Sequence, residues 1–114
     1  DHNLGVQGNR TLGSLYDLIA AENLSEKSRG DIRANGPGRW NRARIIVNGG
    51  HVEHWINNIK LVEYNRFSQS MKNLIKKSKY IKHKGFGIGA NGRILLQDHS
   101  PGDVWFKNVK IREF

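Results

Sequence analysis

Apolar and polar residues alternate over three short stretches in the middle of the chain, which is typical of β-strands with one buried face. The alternation predicts strands over Trp40–Val47, His51–Ile56 and Ile59–Tyr64. Turn signals separate them: Asn-Gly-Gly at 48–50, and Asn-Asn at 57–58, which suits left-handed backbone. Strands joined by such short turns form an antiparallel meander.

The apolar period then changes to a helical one. Met71, Leu74 and Ile75 recur at helical spacing with lysines on the other faces, which predicts a helix over Ser68–Tyr80. The serine at position 68 or 70 can cap its N-terminus, and lysines near its C-terminus complement the helix dipole.

The rest of the chain alternates between loops and short apolar segments. Residues 1–10 and 20–38 are polar and rich in turn-forming types, which predicts loops, whereas 12–19 fits a short strand or a helical turn equally well. Two more strands are predicted over Arg93–His99 and Val104–Arg112. Five or six antiparallel strands with one inserted helix predict an all-β fold class, a partial antiparallel β-sandwich with unpaired edges.

In the first of these C-terminal strands, even-numbered and odd-numbered residues fall on opposite faces of the sheet. Ile94 and Leu96 fall on the face that we expect to contact the core, together with Asp98, whereas Gln97 and His99 fall on the opposite face. Two hydrogen-bonding side chains on one sheet face suit a sugar-binding or acid/base site. On the alternation alone, a solvated strand face with a polar end is the favoured interpretation.

Composition limits the possible partners. The 114 residues make at most one domain, there is no cysteine for disulfide or thiolate chemistry, and no apolar run has membrane-spanning length, so we expect no membrane partner. The net charge of +9 suggests a polyanionic partner, and lysines are concentrated over 72–84. A solvated helix face explains that concentration better, so nucleic acid is not the expected partner.

Five motifs together resemble the 3-keto-disaccharide hydrolase family, also known as domain of unknown function 1080. The similarity covers nearly the whole chain, with the motifs in the family's order and spacing. They are Gly-Ser-Leu-Tyr-Asp-Leu-Ile at 13–19, Trp-Asn-x-x-Arg-Ile-Ile-Val at 40–47, His-Trp-Ile-Asn at 54–57, Leu-Gln-Asp-His at 96–99 and Val-Trp-Phe-Lys-Asn-Val-Lys-Ile at 104–111.

The resemblance implies a fold and an activity. The fold is a concanavalin A-like jelly roll, of which residues 1–114 would be the C-terminal portion, with the N-terminal strands missing. Members are mostly exported bacterial proteins, so we expect a periplasmic or extracellular location. The implied activity is cleavage of 3-keto-glycosides by elimination and water addition, which needs a base near C2 and an acid at the leaving oxygen. The alternative is a non-catalytic carbohydrate-binding sandwich module.

The resemblance also assigns site residues. The catalytic candidates are His99, whose imidazole titrates near neutrality, and Asp98, whose opposite parity makes it the lesser candidate. Six residues are candidates for binding the substrate: Gln97, Arg44, His54, Tyr16, Trp55 and His2.

Structural roles compete with several of these assignments. Arg44 can form a cross-strand ion pair, His54 is in phase with inward positions and can be half-buried against backbone, and Trp55 can belong to the core. His51 and His54 should point to opposite faces, and Glu53 can meet a second glutamate, the one at 63, only if the hairpin register allows it. No metal-ligand spacing stands out, so we expect neither a metal nor another cofactor. We expect the exposed edges to be covered by the missing half of the domain or by a second copy in a homo-oligomer.

Overall fold

The computed structural model describes residues 9–21, 39–98 and 103–113. Three strands form one antiparallel sheet in chain order, which confirms the predicted meander. They are β1 (Ala43–Asn48), β2 (His51–Ile56) and β3 (Ile59–Asn65). The second strand has the predicted bounds, whereas the first begins three residues later than predicted.

The Asn-Asn turn between β2 and β3 has the predicted left-handed backbone. Asn57 and Asn58 have φ values of 48° and 68°, which asparagine tolerates better than most residues. Asn57 also donates its backbone N–H to the carbonyl of Arg42, and its side-chain oxygen accepts the backbone N–H of Arg42. The turn therefore also fixes the chain where it enters β1.

The core lies on the inner face of the sheet, mainly over β2 and β3. Ile56 and Val62 are buried there, and Leu61 is 1% exposed. Leu61 and Val62 are adjacent in sequence, yet both are buried because a β-bulge interrupts the ladder. The register shifts between His54 and Trp55, so β3 has one extra residue, Leu61, between the partners of these two residues.

The segment 9–21 packs against this core. Leu12, Leu15 and Ile19 contact the buried cluster, and the segment consists of turns with one isolated bridge between Leu15 and Ile19. The sequence is compatible with either a short strand or a helical turn over 12–19, but the structure has neither a regular strand nor a helix there.

The helix α1 runs from Gln69 to Lys77 and buries Met71, and a 3₁₀-helix follows over Lys79–Lys82. The predicted helix extended three residues further at its C-terminus, to Tyr80. The helix ends at Lys77 because the hydroxyl of the next residue, Ser78, donates to the carbonyl of Ile75 and accepts the N–H of Tyr80, which competes with continued helical bonding. Within the described residues, neither helix is long and apolar enough to cross a membrane.

The N-cap of α1 gives a first testable prediction. Ser68 accepts the backbone N–H of Met71 at 3.1 Å, so replacing Ser68 with alanine leaves that donor without its partner. We expect a loss of about 1 kcal/mol in unfolding free energy, measured by urea denaturation of the intact protein. Lys72→Ala is the control, because it truncates an exposed side chain of the same helix and leaves the Ser68 cap intact. Equal losses in both variants would contradict the assignment of the cap.

The two C-terminal strands were predicted wrongly for the described residues. Residues 93–98 and 103–113 form no strand, and the expected core contact of Ile94 and Leu96 is not made, since these side chains are 68% and 53% exposed. Alternation identifies which side chains share a face, but a strand also needs a neighbour for its ladder. The described part of the chain provides none for these segments, and the inner face of β1 is likewise uncovered at Ile45.

Candidate functional site

The outer face of the sheet, opposite the core, carries a group of charged and aromatic side chains. We call it the outer-face cluster. Its members are His51, Glu53, Trp55, Lys60 and Glu63. They come together because alternate residues of β2 point outward and their partners across β3 do the same.

The bulge decides which residues of β3 join this cluster. A two-residue turn at 57–58 pairs Trp55 with Lys60, and an unbroken ladder would then place Glu53 opposite Val62. The extra residue shifts the register by one, so Glu53 lies directly opposite Glu63. The two carboxylates therefore share the outer face.

Hydrogen bonds connect the members of the cluster. His51 Nε2 lies 3.1 Å from Glu53 Oε1 and 3.5 Å from Glu63 Oε1. The indole N–H of Trp55 donates to Glu53 Oε2 at 2.7 Å. The Lys60 ammonium donates to Glu63 Oε2 and lies 3.8 Å from Glu53 Oε1. Each carboxylate thus has one oxygen towards His51, while its other oxygen binds an N–H donor.

These contacts shift two pKa values in opposite directions. The pKa of Glu53 is lowered, mainly by the hydrogen bond from His51 and then by that from Trp55, with the Lys60 charge adding to the effect. The pKa of Lys60 is raised, mainly by its hydrogen bond to Glu63. The cluster therefore presents Glu53 as a carboxylate held by donors, and its oxygens can accept hydroxyl hydrogens or bind a cation.

Arg44 and Trp55 extend the cluster towards β1. They are paired in the register, and the Arg44 guanidinium lies 4.7 Å from the centre of the Trp55 ring system. Arg44 therefore stacks on an aromatic ring, in place of the cross-strand ion pair considered from the sequence. Trp55 is half-buried on the outer face and does not belong to the core.

His54 lies on the inner face of the sheet and His51 on the outer face, as the alternation along β2 predicted. Its Nδ1–H donates to the carbonyl of Gly13 at 3.0 Å, and its ring packs edge-on against Tyr64 at 5.7 Å. The half-buried, backbone-bound histidine considered from the sequence is therefore what the structure has. A substrate-binding role for His54 stays a prediction.

Tyr16 is separate from the outer-face cluster. Its ring lies 4.6 Å from the Lys79 ammonium and 5.7 Å from the Arg10 guanidinium. Arg10 also pairs with Asp17, which lowers the pKa of that carboxyl. The structure therefore brings Tyr16 to the helical side of the molecule, among cations.

The remaining candidates lie in or beside the C-terminal segment. Gln97 and Asp98 are exposed and outside any strand. His99 and His2 lie outside the described residues, so the placement of His99 beside Gln97 stays a prediction.

The comparisons with known proteins identify the family. Residues 1–112 match the 3-keto-alpha-glucoside-1,2-lyase-like domain. The chain belongs to this family. The resemblance found in the sequence motifs is thereby confirmed.

Two relatives support the assignment. The chain is 33% identical, over 98% of its length, to a 3-keto-disaccharide hydrolase from Bacteroides thetaiotaomicron, and it spans 39% of that relative. It also matches the crystal structure of a "putative glycosyl hydrolase" from Parabacteroides distasonis with a TM-score of 0.60 and 25% identity, over 74% of this chain and 35% of that one. The chain thus corresponds to less than half of either relative.

Proposed function

We propose that the chain is part of an enzyme that cleaves 3-keto-disaccharides, a glycoside hydrolase or lyase acting through elimination. The observation that carries this proposal is the 33% identity to a 3-keto-disaccharide hydrolase over 98% of the chain. The family description, which names a 1,2-lyase, agrees with elimination across C1 and C2 of the oxidised sugar.

The chemistry follows from the keto group. A carbonyl at C3 acidifies the C2–H, so a base can remove that proton while the glycosidic oxygen departs from C1 and takes up a proton from an acid. The product is an unsaturated ketone, and addition of water across its double bond gives the free 3-keto sugar. We assign the base to His99 and the acid to Asp98, with Gln97 orienting sugar hydroxyls.

The outer-face cluster supplies a suitable sugar-binding surface. Trp55 offers an aromatic ring edge, and Glu53 and Arg44 beside it offer an acceptor and donors for hydroxyl groups. We propose that this surface contacts the part of the disaccharide outside the reacting ring. This surface would position the disaccharide, and it would take no part in proton transfer.

The proposal includes the complete fold. We propose that β1–β3 form part of a concanavalin A-like jelly roll in a periplasmic or extracellular protein. The match to the Parabacteroides distasonis structure supports a shared fold. The exposed apolar side chains at 94–96 and on β1 support coverage by further strands, from the same protein or from a second copy.

A substrate comparison in heavy water tests the function. The intact protein is incubated with a 3-keto-disaccharide and with its parent disaccharide in D₂O. We expect monosaccharide release from the keto compound alone, with deuterium at C2 of the 3-keto product. Equal cleavage of the parent without deuterium uptake would show an ordinary glycosidase, and binding without cleavage would show a carbohydrate-binding module. Either result would overturn the proposal.

A further inference from the structure

We propose that the outer-face cluster binds a divalent first-row transition metal ion through His51 Nε2, Glu53 Oε1 and Glu63 Oε1. The inference goes beyond the proposed function and does not depend on it.

The spacing of the three ligand atoms suits a metal ion. His51 Nε2 lies 3.1 Å and 3.5 Å from the two carboxylate oxygens, and all three ligand atoms lie within 4.8 Å of one another. Metal–ligand bonds of about 2.0–2.2 Å at tetrahedral or octahedral angles place neighbouring ligand atoms about 3.0–3.5 Å apart. Both distances from the imidazole nitrogen already fit, so only a modest closure between the carboxylates is needed.

The two carboxylates are held in orientation by other donors. The Trp55 indole binds Glu53 Oε2, and the Lys60 ammonium binds Glu63 Oε2. The Oε1 atoms are thereby directed at His51. Donors that hold the distal oxygen of a ligating carboxylate are a regular feature of metal sites.

The charges of the cluster also favour a cation. Glu53 and Glu63 lie directly opposite each other, an arrangement in which like charges repel. Lys60 offsets one of the two charges, so the two glutamates and Lys60 together keep a net negative charge. A bound cation would compensate for it.

The donor set points to the kind of ion. One imidazole and two carboxylates suit zinc, manganese or iron(II), whereas calcium and magnesium prefer oxygen donors alone. We commit to a transition ion, with Zn²⁺ as the probe.

Calorimetric titration of the chelator-treated intact protein with ZnCl₂ tests the site. We expect one ion per chain, and we expect Glu53→Gln and Glu63→Gln each to weaken binding by about tenfold or more. The matched control is Asp17→Asn, which removes a carboxylate paired with Arg10 outside the cluster and keeps a residue type that tolerates the φ of 65° there. The control should bind zinc as the parent does.

A second readout locates the ion. The indole N–H resonance of Trp55 should shift on zinc addition in the parent and stay in place in Glu53→Gln, with circular dichroism confirming that both fold. Absence of binding at millimolar zinc, or binding unchanged in both glutamine variants, would overturn the proposal. Because no sugar is used, failure here is separate from failure of the proposed cleavage reaction.

Discussion

Replacing His99 with alanine is expected to lower the rate of 3-keto-disaccharide cleavage by about 10²–10⁴-fold, the usual contribution of a positioned general acid or base. Sugar affinity should change little, because proton transfer contributes to the transition state and not to ground-state binding. The measurement is the initial rate under saturating substrate, together with the dissociation constant of an unreactive disaccharide.

A second histidine provides the matched control. His83 is exposed at the end of the 3₁₀-helix and lies outside the Leu-Gln-Asp-His motif that contains His99, so His83→Ala should retain the parent rate. Gln97→Ala should mainly weaken binding, since its proposed role is to orient hydroxyl groups. Unchanged turnover in His99→Ala would remove that residue from the mechanism even if the protein is an enzyme.

Replacing Gly13 with alanine is expected to reduce the free energy of unfolding by about 2–5 kcal/mol. Gly13 has a φ of +82°, where a side chain costs about 1–2 kcal/mol. An added Cβ would also overlap Leu61 Cδ1 and lie 3.4 Å from Ile56 Cγ1. Because Leu61 is fully buried, it cannot move aside freely, and such overpacking costs about 1–3 kcal/mol.

Gly92 is the matched control for this substitution. A Cβ built there meets nothing within 4 Å, so Gly92→Ala should change stability by no more than about 0.5 kcal/mol. Urea denaturation of the intact protein measures both variants. Equal midpoints for Gly13→Ala and the parent would show that the segment 9–21 does not pack on the core as the structure places it.

Local patterns account for the parts of the fold that the sequence predicted well. The strands β2 and β3, their Asn-Asn turn and the start of α1 depend on neighbouring residues alone, and these predictions were confirmed. The end of α1 was missed because a single side chain, Ser78, diverts the hydrogen bonds there. The segments 93–98 and 103–113 were missed because strand formation depends on a partner, which alternation does not specify.

The outer-face cluster was missed for a different reason. The sequence correctly placed His51 and His54 on opposite faces of β2, but which β3 residues join the cluster depends on the bulge. The turn alone would have placed Glu63 opposite Val52, on the inner face. The adjacent apolar residues Leu61 and Val62 break the alternation where the bulge lies, but this pattern does not specify which of the two is the extra residue. The sequence therefore could not predict that Glu53 and Glu63 lie opposite each other, because this pairing depends on the strand register, which only the structure shows.

The strand β2 carries the buried core and the outer-face cluster on alternate residues of one backbone. A ligand held by the cluster therefore binds only where the sheet is formed, and by mass action it must shift the folding equilibrium towards the native state. Melting temperature consequently becomes a reporter of occupancy at this surface. A library of sugars and ions could be ranked in this way before any reaction has been found.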